Sequence, residues 1–287
     1  MVTRAAEITG VAAGVPFVAV PPSTGPGVTA PIVVAWHLMD PPRTEAAFAA
    51  ALPLRGLDAW RIYLGLPMSG SRLPPGGAEE LMRLGYEDAV LNLQGPVTDQ
   101  AAEEFDAALA DLRGQLGLGD RPVGVVGGSV GAAVAQLVMA ESHMAVGAAV
   151  LISPLVRLRS AVEAMARRFD ITYPWSDPSL EVARRLDFVA RADEIAQRDQ
   201  PAVLLVVGGD DDPRGFREPA GQLRESLASR YADPERAELV VIPGMGHPLA
   251  EEPGIEPAPQ TGHAAQVDVH AVRWLRRYLT RTPPDED

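Results

Sequence analysis

The sequence predicts an α/β protein built on a mostly parallel sheet with helices on both faces. Three observations carry this. Short runs of Val, Ile, Leu and Ala recur along the chain and read as buried strands. Ala-rich or amphipathic stretches of helical spacing alternate with them, the pattern of crossover connections in a parallel sheet. One run, from Val123, leads through Gly127-Gly128-Ser129-Val130-Gly131 into a helix-like Ala/Val/Leu stretch. That is the sequence of a serine on a sharp strand-to-helix turn.

The elements follow in order. Ala5–Thr9 and Val15–Val20, around Ala12-Ala13-Gly14, read as an opening hairpin. Pro31–Trp36 is a short buried strand, Thr44–Leu52 an Ala-rich helix and Trp60–Leu64 the next strand. The turn-rich stretch Gly65 to Gly77 leads to helices around Ala78–Leu84 and Thr98–Leu116. After the serine turn and its helix come strands at Ala145–Ile152, Pro201–Val207 and Leu239–Ile242, then a terminal helix Ala264–Leu279. Low-complexity sequence is confined to the tail beyond it.

Between two of these strands, residues 155–200 differ in character. They carry several arginines and two or three amphipathic helical patterns broken at Thr172-Tyr173-Pro174-Trp175. The segment is longer than an ordinary crossover. It reads as a small helical cap, residues 1–154 and 201–287 forming the core.

The 287 residues suffice for one large α/β domain, and 47% hydrophobic with 22% charged residues is ordinary for a globular protein. A net charge of −13 argues against nucleic acid or an anionic membrane as partner. It also favours neutral over anionic substrates. The absence of cysteine removes disulfides, a thiol nucleophile and cysteine-ligated zinc. Glu7 before Gly10–Val20, and Pro16 within it, disfavour a secretion signal. No apolar run reaches the roughly 20 residues a membrane span needs. A cytoplasmic protein without a membrane partner is expected.

The candidate chemistry centres on Ser129. A serine hydroxyl is a poor nucleophile until a base takes its proton, and the base needs a carboxylate to fix its tautomer. His247 is the candidate base, on the Gly-rich loop Pro243-Gly244-Met245-Gly246 just past the last core strand. His143, His263 and His270 read as superficial or packing residues, and His37 as a brace for its loop. The acid lies in Gly208-Gly209-Asp210-Asp211-Asp212-Pro213, with Asp212 preferred, Asp211 next and Asp210 last. An oxyanion hole needs two backbone N–H donors. Val130 supplies one, and Met39, with Leu38 second, the other. Trp36, Met39, Met68 and Trp175 are candidate pocket walls.

With Gly-Gly-Ser-Val-Gly, Gly-Gly-Asp-Asp-Asp-Pro and Gly-Met-Gly-His in this order, the chain resembles the α/β-hydrolase superfamily over nearly its whole length. Trp36-His37-Leu38 is similar to the family's His-Gly oxyanion signature, and Arg61–Arg72 to its following strand and loop. There is some likeness to dienelactone-hydrolase and prolyl-oligopeptidase-type members, though no propeller accompanies it. Leu38 departs from the family, standing where Gly is usual and leaving the second oxyanion donor open. Relatives that use an Asp nucleophile, the haloalkane dehalogenases and epoxide hydrolases, are disfavoured by Ser129.

The resemblance implies a fold and a mechanism class, not a substrate. The expected activity is hydrolysis of a small-molecule carboxylic ester through an acyl-enzyme on Ser129, without a cofactor or metal. An acyltransferase or a lactone or amide hydrolase using the same residues is the alternative within enzymes. A non-catalytic binding protein of the same fold is the alternative outside them.

Overall fold

A computed structural model describes residues 7–198 and 200–279. Eight strands form one sheet: β1 (Ile8–Ala12), β2 (Val15–Val20), β3 (Ile32–Trp36), β4 (Trp60–Leu64), β5 (Val123–Gly128), β6 (Val146–Ile152), β7 (Ala202–Gly208) and β8 (Ala237–Ile242). Their order is β1-β2-β4-β3-β5-β6-β7-β8. β1 and β2 pair antiparallel, as does β2 with β4, and every later pairing is parallel. The expected opening strand is shifted, and its residues 5 and 6 lie outside the described residues, as does the low-complexity tail.

Alternation along the strands divides the core in two. Val34 and Trp36 of β3, Val125 of β5, Leu151 of β6 and Leu205 of β7 belong to one buried cluster. Val33 and Ala35, Val126, Val150 and Leu204 belong to the other. This is the period-two geometry of a strand buried on both faces. The first cluster is covered by α3 (Gly95–Leu116), α4 (Val130–Glu141), α7 (Ala192–Ala196) and α8 (Glu218–Ala228), through residues such as Phe105, Val134, Ile195 and Leu223. The second is covered by α1 (Glu45–Ala51) and α9 (Gly262–Leu279), through Phe48 and Trp274. Thr44 caps α1, its hydroxyl accepting from Ala47 N.

One connection differs from the expected pair of separate helices. α2 (Gly77–Asp88) runs through a wide turn, Val90–Gln94, directly into α3. Gln94 N bonds Ala89 O, five residues back. Pro96 at the start of α3 has no N–H and would crowd the preceding turn of a regular helix, which the widened turn relieves.

Residues 155–198 form α5 (Leu158–Arg168), α6 (Asp177–Arg185) and α7. The segment's two limbs are tied together: Phe188 N donates to Val156 O, Leu158 N to Leu186 O, and Arg157 pairs with Asp187 at 3.1 Å. Leu158, Leu186, Phe188 and Ile195 are part of the first core cluster. The segment is therefore built onto the sheet's own core, which α5 also enters through Ala161 and Val162.

Candidate active site

The C-terminal ends of β3, β5, β7 and β8 converge, the edge where ligands meet parallel sheets. Ser129 follows β5 directly with φ 49° and ψ −113°, a strained conformation for a residue with a side chain. Its neighbours explain why the turn can be so sharp. A Cβ on Gly127 would lie 2.2 Å from Gly131 O, and one on Gly131 2.4 Å from both Trp36 O and His37 O. Ser129 N is anchored to Ile152 O of β6 at 2.9 Å.

The strand ends bring three side chains into line. His247 Nε2 lies 2.9 Å from Ser129 Oγ, and His247 Nδ1 lies 2.8 Å from Asp211 Oδ2. A carboxylate can only accept, so Nδ1 carries the proton and Nε2 is free to accept from the serine hydroxyl. Ser129 is 6% exposed and the Asp211 side chain 4%, whereas His247 reaches the surface. Gly208 permits this approach: a Cβ there would meet Met245 O at 2.2 Å. Phe216 packs on the imidazole, ring centroids 4.3 Å apart.

Asp212, the preferred acid in the sequence, is not at the imidazole. Its Oδ1 accepts from Gly215 N at 2.6 Å and pairs with Arg167 Nη2 at 3.2 Å. Asp212 caps the turn Pro213–Arg217 that runs into α8, with Pro at the first position. Capping turns its carboxylate along the new helix and leaves the preceding residue to face His247. Asp210, the last choice, is exposed. The Asp-Pro pair was the available signal, since it is a helix-start signature.

The loop after β3 is held from several sides. His37 is fully buried; Leu66 N donates to its Nε2 at 3.1 Å, so its Nδ1 carries the proton and donates to Leu38 O at 2.6 Å. Burial depresses this imidazole to a pKa of about 4, the bond to Leu38 opposing the shift. The Leu38–Met39 peptide is planar, so fixing the carbonyl of Leu38 turns the N–H of Met39 the opposite way. Arg43 Nε donates to Met39 O at 3.1 Å. The loop is also stitched to the chain after His247: Leu249 N donates to Pro41 O at 2.9 Å and Arg43 N to Gly254 O at 2.7 Å. Val130, at the first position of α4, has an N–H that no helical carbonyl can take.

Leu38 has a packing reason to replace glycine. It is fully buried, and its Cδ1 occupies the space a Cβ on residue 128 would need, 2.3 Å away. Gly128 and Leu38 are thus complementary.

Of the candidate walls, Trp36 is core, buried against Phe105 at 5.5 Å between ring centroids. Met39, Met68 and Trp175 are half-buried against the same cluster. His143 is exposed, and the His270 and His263 side chains lie by Arg273 and Gly244. One site residue carried no sequence signal. Asp40, exposed on the β3 loop, places Oδ2 3.8 Å from His247 Nε2. Nothing in an Asp before two prolines announces a contact with a histidine from the far end of the chain.

Among the described residues, no helix is long and apolar enough to cross a membrane, and no group of three acidic or histidine side chains could hold a metal ion.

No protein-family model matches the chain, and no curated protein matches it in sequence. Its likeness is to solved structures. TT1662 from Thermus thermophilus superposes with a TM-score of 0.64 at 18% identity, covering 98% of this chain and all of that one. A puromycin-hydrolyzing peptidase of Mycobacterium tuberculosis gives 0.64 at 17% identity over 97% of this chain, which spans only 40% of the peptidase. A dienelactone hydrolase from Anabaena variabilis gives 0.54 at 18%, over 96% of this chain and 99% of that one. The chain has the α/β-hydrolase fold.

Proposed function

We propose that the protein is a serine hydrolase that cleaves small to medium carboxylic esters through an acyl-enzyme on Ser129. The observation that carries this is His247, whose two ring nitrogens sit within hydrogen-bond distance of Ser129 Oγ and Asp211 Oδ2. A base oriented by a carboxylate and touching a hydroxyl is the arrangement that activates a serine.

In this reading Ser129 Oγ attacks the ester carbonyl while its proton passes to His247 Nε2. Asp211 holds the ring and stabilises the imidazolium, remaining ionised. The carbonyl oxygen becomes an oxyanion held by the N–H groups of Val130 and Met39. Collapse breaks the bond to the alcohol oxygen, which departs with the proton from Nε2. Water then gives its proton to the same nitrogen, attacks the acyl carbon and releases the acid with Ser129 restored. No step calls for a cofactor.

Residues 155–200 serve as the cap in this scheme. α5 packs on the turn Pro213–Arg217, and Arg167 ties it to Asp212 beside the acid. Tyr173 and Trp175, on the α5–α6 connection, are half-buried against the same cluster as Met39 and Met68.

A fluorophosphonate probe tests the reading. Stoichiometric labelling that disappears in Ser129→Ala is expected, with turnover of p-nitrophenyl esters that varies with acyl length. A folded, unlabelled wild type would point to a binding protein instead. Labelling with no ester turnover would redirect the search to amides, lactones or thioesters, and ester formation with added alcohols would mark an acyltransferase.

A further inference from the structure

Asp40 is a carboxylate standing beside the reacting atoms with no evident task in hydrolysis. Its Oδ2 is 3.8 Å from His247 Nε2, the same nitrogen that meets Ser129, and its side chain is 52% exposed. Among the described residues the imidazole is its one recorded charged-group neighbour, an ion pair only once the ring takes up the serine proton, and the arginines of the adjoining segments are engaged elsewhere. Arg43 donates to Met39 O and Pro253 O and pairs with Glu252, and Arg167 pairs with Asp212. The carboxylate is therefore exposed to solvent beside the imidazole, with no arginine paired to it among the described residues.

Its position relative to a substrate follows from the reaction. The leaving oxygen must come within hydrogen-bond reach of Nε2 to receive its proton, about 3 Å, which puts it no more than roughly 7 Å from Asp40 Oδ2. A cation two carbons beyond that oxygen can close this gap to contact. An anion there would be repelled, in keeping with the chain's net charge of −13.

We propose that Asp40 is a specificity-determining residue that selects esters whose alcohol carries an ammonium group two or three carbons beyond the scissile oxygen. This rests on the serine-hydrolase reading and narrows it to a class of leaving group. The contact is equally available before and during bond cleavage, so it acts chiefly on KM rather than kcat.

The test is a matched pair of esters of one acid, the choline ester and its uncharged 3,3-dimethylbutyl isostere, with Ser129 labelling and p-nitrophenyl ester turnover measured alongside. For a half-exposed pair, a preference for the choline ester of about fivefold in kcat/KM is expected, weakening as salt is raised. In Asp40→Asn the ratio of the two esters falls to about one, and in Asp40→Lys it inverts. A wild-type ratio of one or below, with the neutral ester turned over and Ser129 labelled, overturns the assignment of Asp40 and leaves the hydrolase standing. So does a ratio that survives Asp40→Asn, even if both rates fall, because Asp40 would then act on the imidazole and not on the substrate. Absence of both labelling and turnover would overturn the hydrolase reading and this one with it.

Discussion

Asp211 Oδ1 accepts the backbone N–H of Asp212 at 2.8 Å while Asp211 Oδ2 faces His247. The two adjacent carboxylates thus point into different structures, one into the site and one into the start of α8. Their substitutions separate accordingly. Asp211→Asn keeps the shape and loses the obligate acceptor, so kcat is expected to fall about a thousandfold or more with little change in melting temperature. Asp212→Ala removes a cap and a surface ion pair. It should cost about 1 kcal/mol, roughly 2 °C in melting temperature, with kcat within a few fold. A larger kcat loss at Asp212 than at Asp211 would reverse the two assignments.

His37 gives a stability signature in acid. Its folded pKa, about 4, lies below the ordinary imidazole value of 6.5, so the unfolded chain binds more protons between those values. Stability contributed by the neutral imidazole is full above about pH 6.5 and declines as pH falls toward 4. Between pH 7 and 5 the loss is about 2 kcal/mol. Urea unfolding of wild type and His37→Asn at both pH values checks this: the variant is expected to be less stable at pH 7 and to lose about 2 kcal/mol less on acidification.

Leu38 should resist truncation. It is fully buried against Gly128, and Leu38→Ala leaves a cavity expected to cost about 3 kcal/mol. Chemical denaturation measures it. Retained folding stability would mean that the loop collapses onto Gly128.

The reciprocal change tests the same contact. Gly128→Ala places a methyl 2.3 Å from Leu38 Cδ1, so the Leu38 side chain must shift within the loop that also carries Met39. We expect lower stability together with a drop in kcat, and partial recovery of both in the double variant Gly128→Ala/Leu38→Ala.

Much of this arrangement is legible in the chain. Apolar runs such as Val203–Val207 announce strands because both sheet faces are covered, and glycines at 127 and 131 mark a turn that tolerates no Cβ. Ser129 and His247 stand out because each follows a core strand on a glycine-rich loop, and the structure brings them to 2.9 Å. The choice among Asp210, Asp211 and Asp212 is not settled by strand position, since all three follow β7. It depends on which carboxylate the next helix claims. The join of α2 to α3 and the approach of Asp40 to His247 are tertiary outcomes. One is a local widening to admit Pro96, and the other is a meeting of loops distant in sequence.

The hydrogen bonds from Leu249 N to Pro41 O and from Arg43 N to Gly254 O have a consequence for redesign. They clasp the wall bearing Met39 to the wall bearing His247, so neither can be widened without dragging its opposite number along. Under the proposed hydrolase reading, room for a bulkier substrate has to be sought at some boundary other than these two clasped loops.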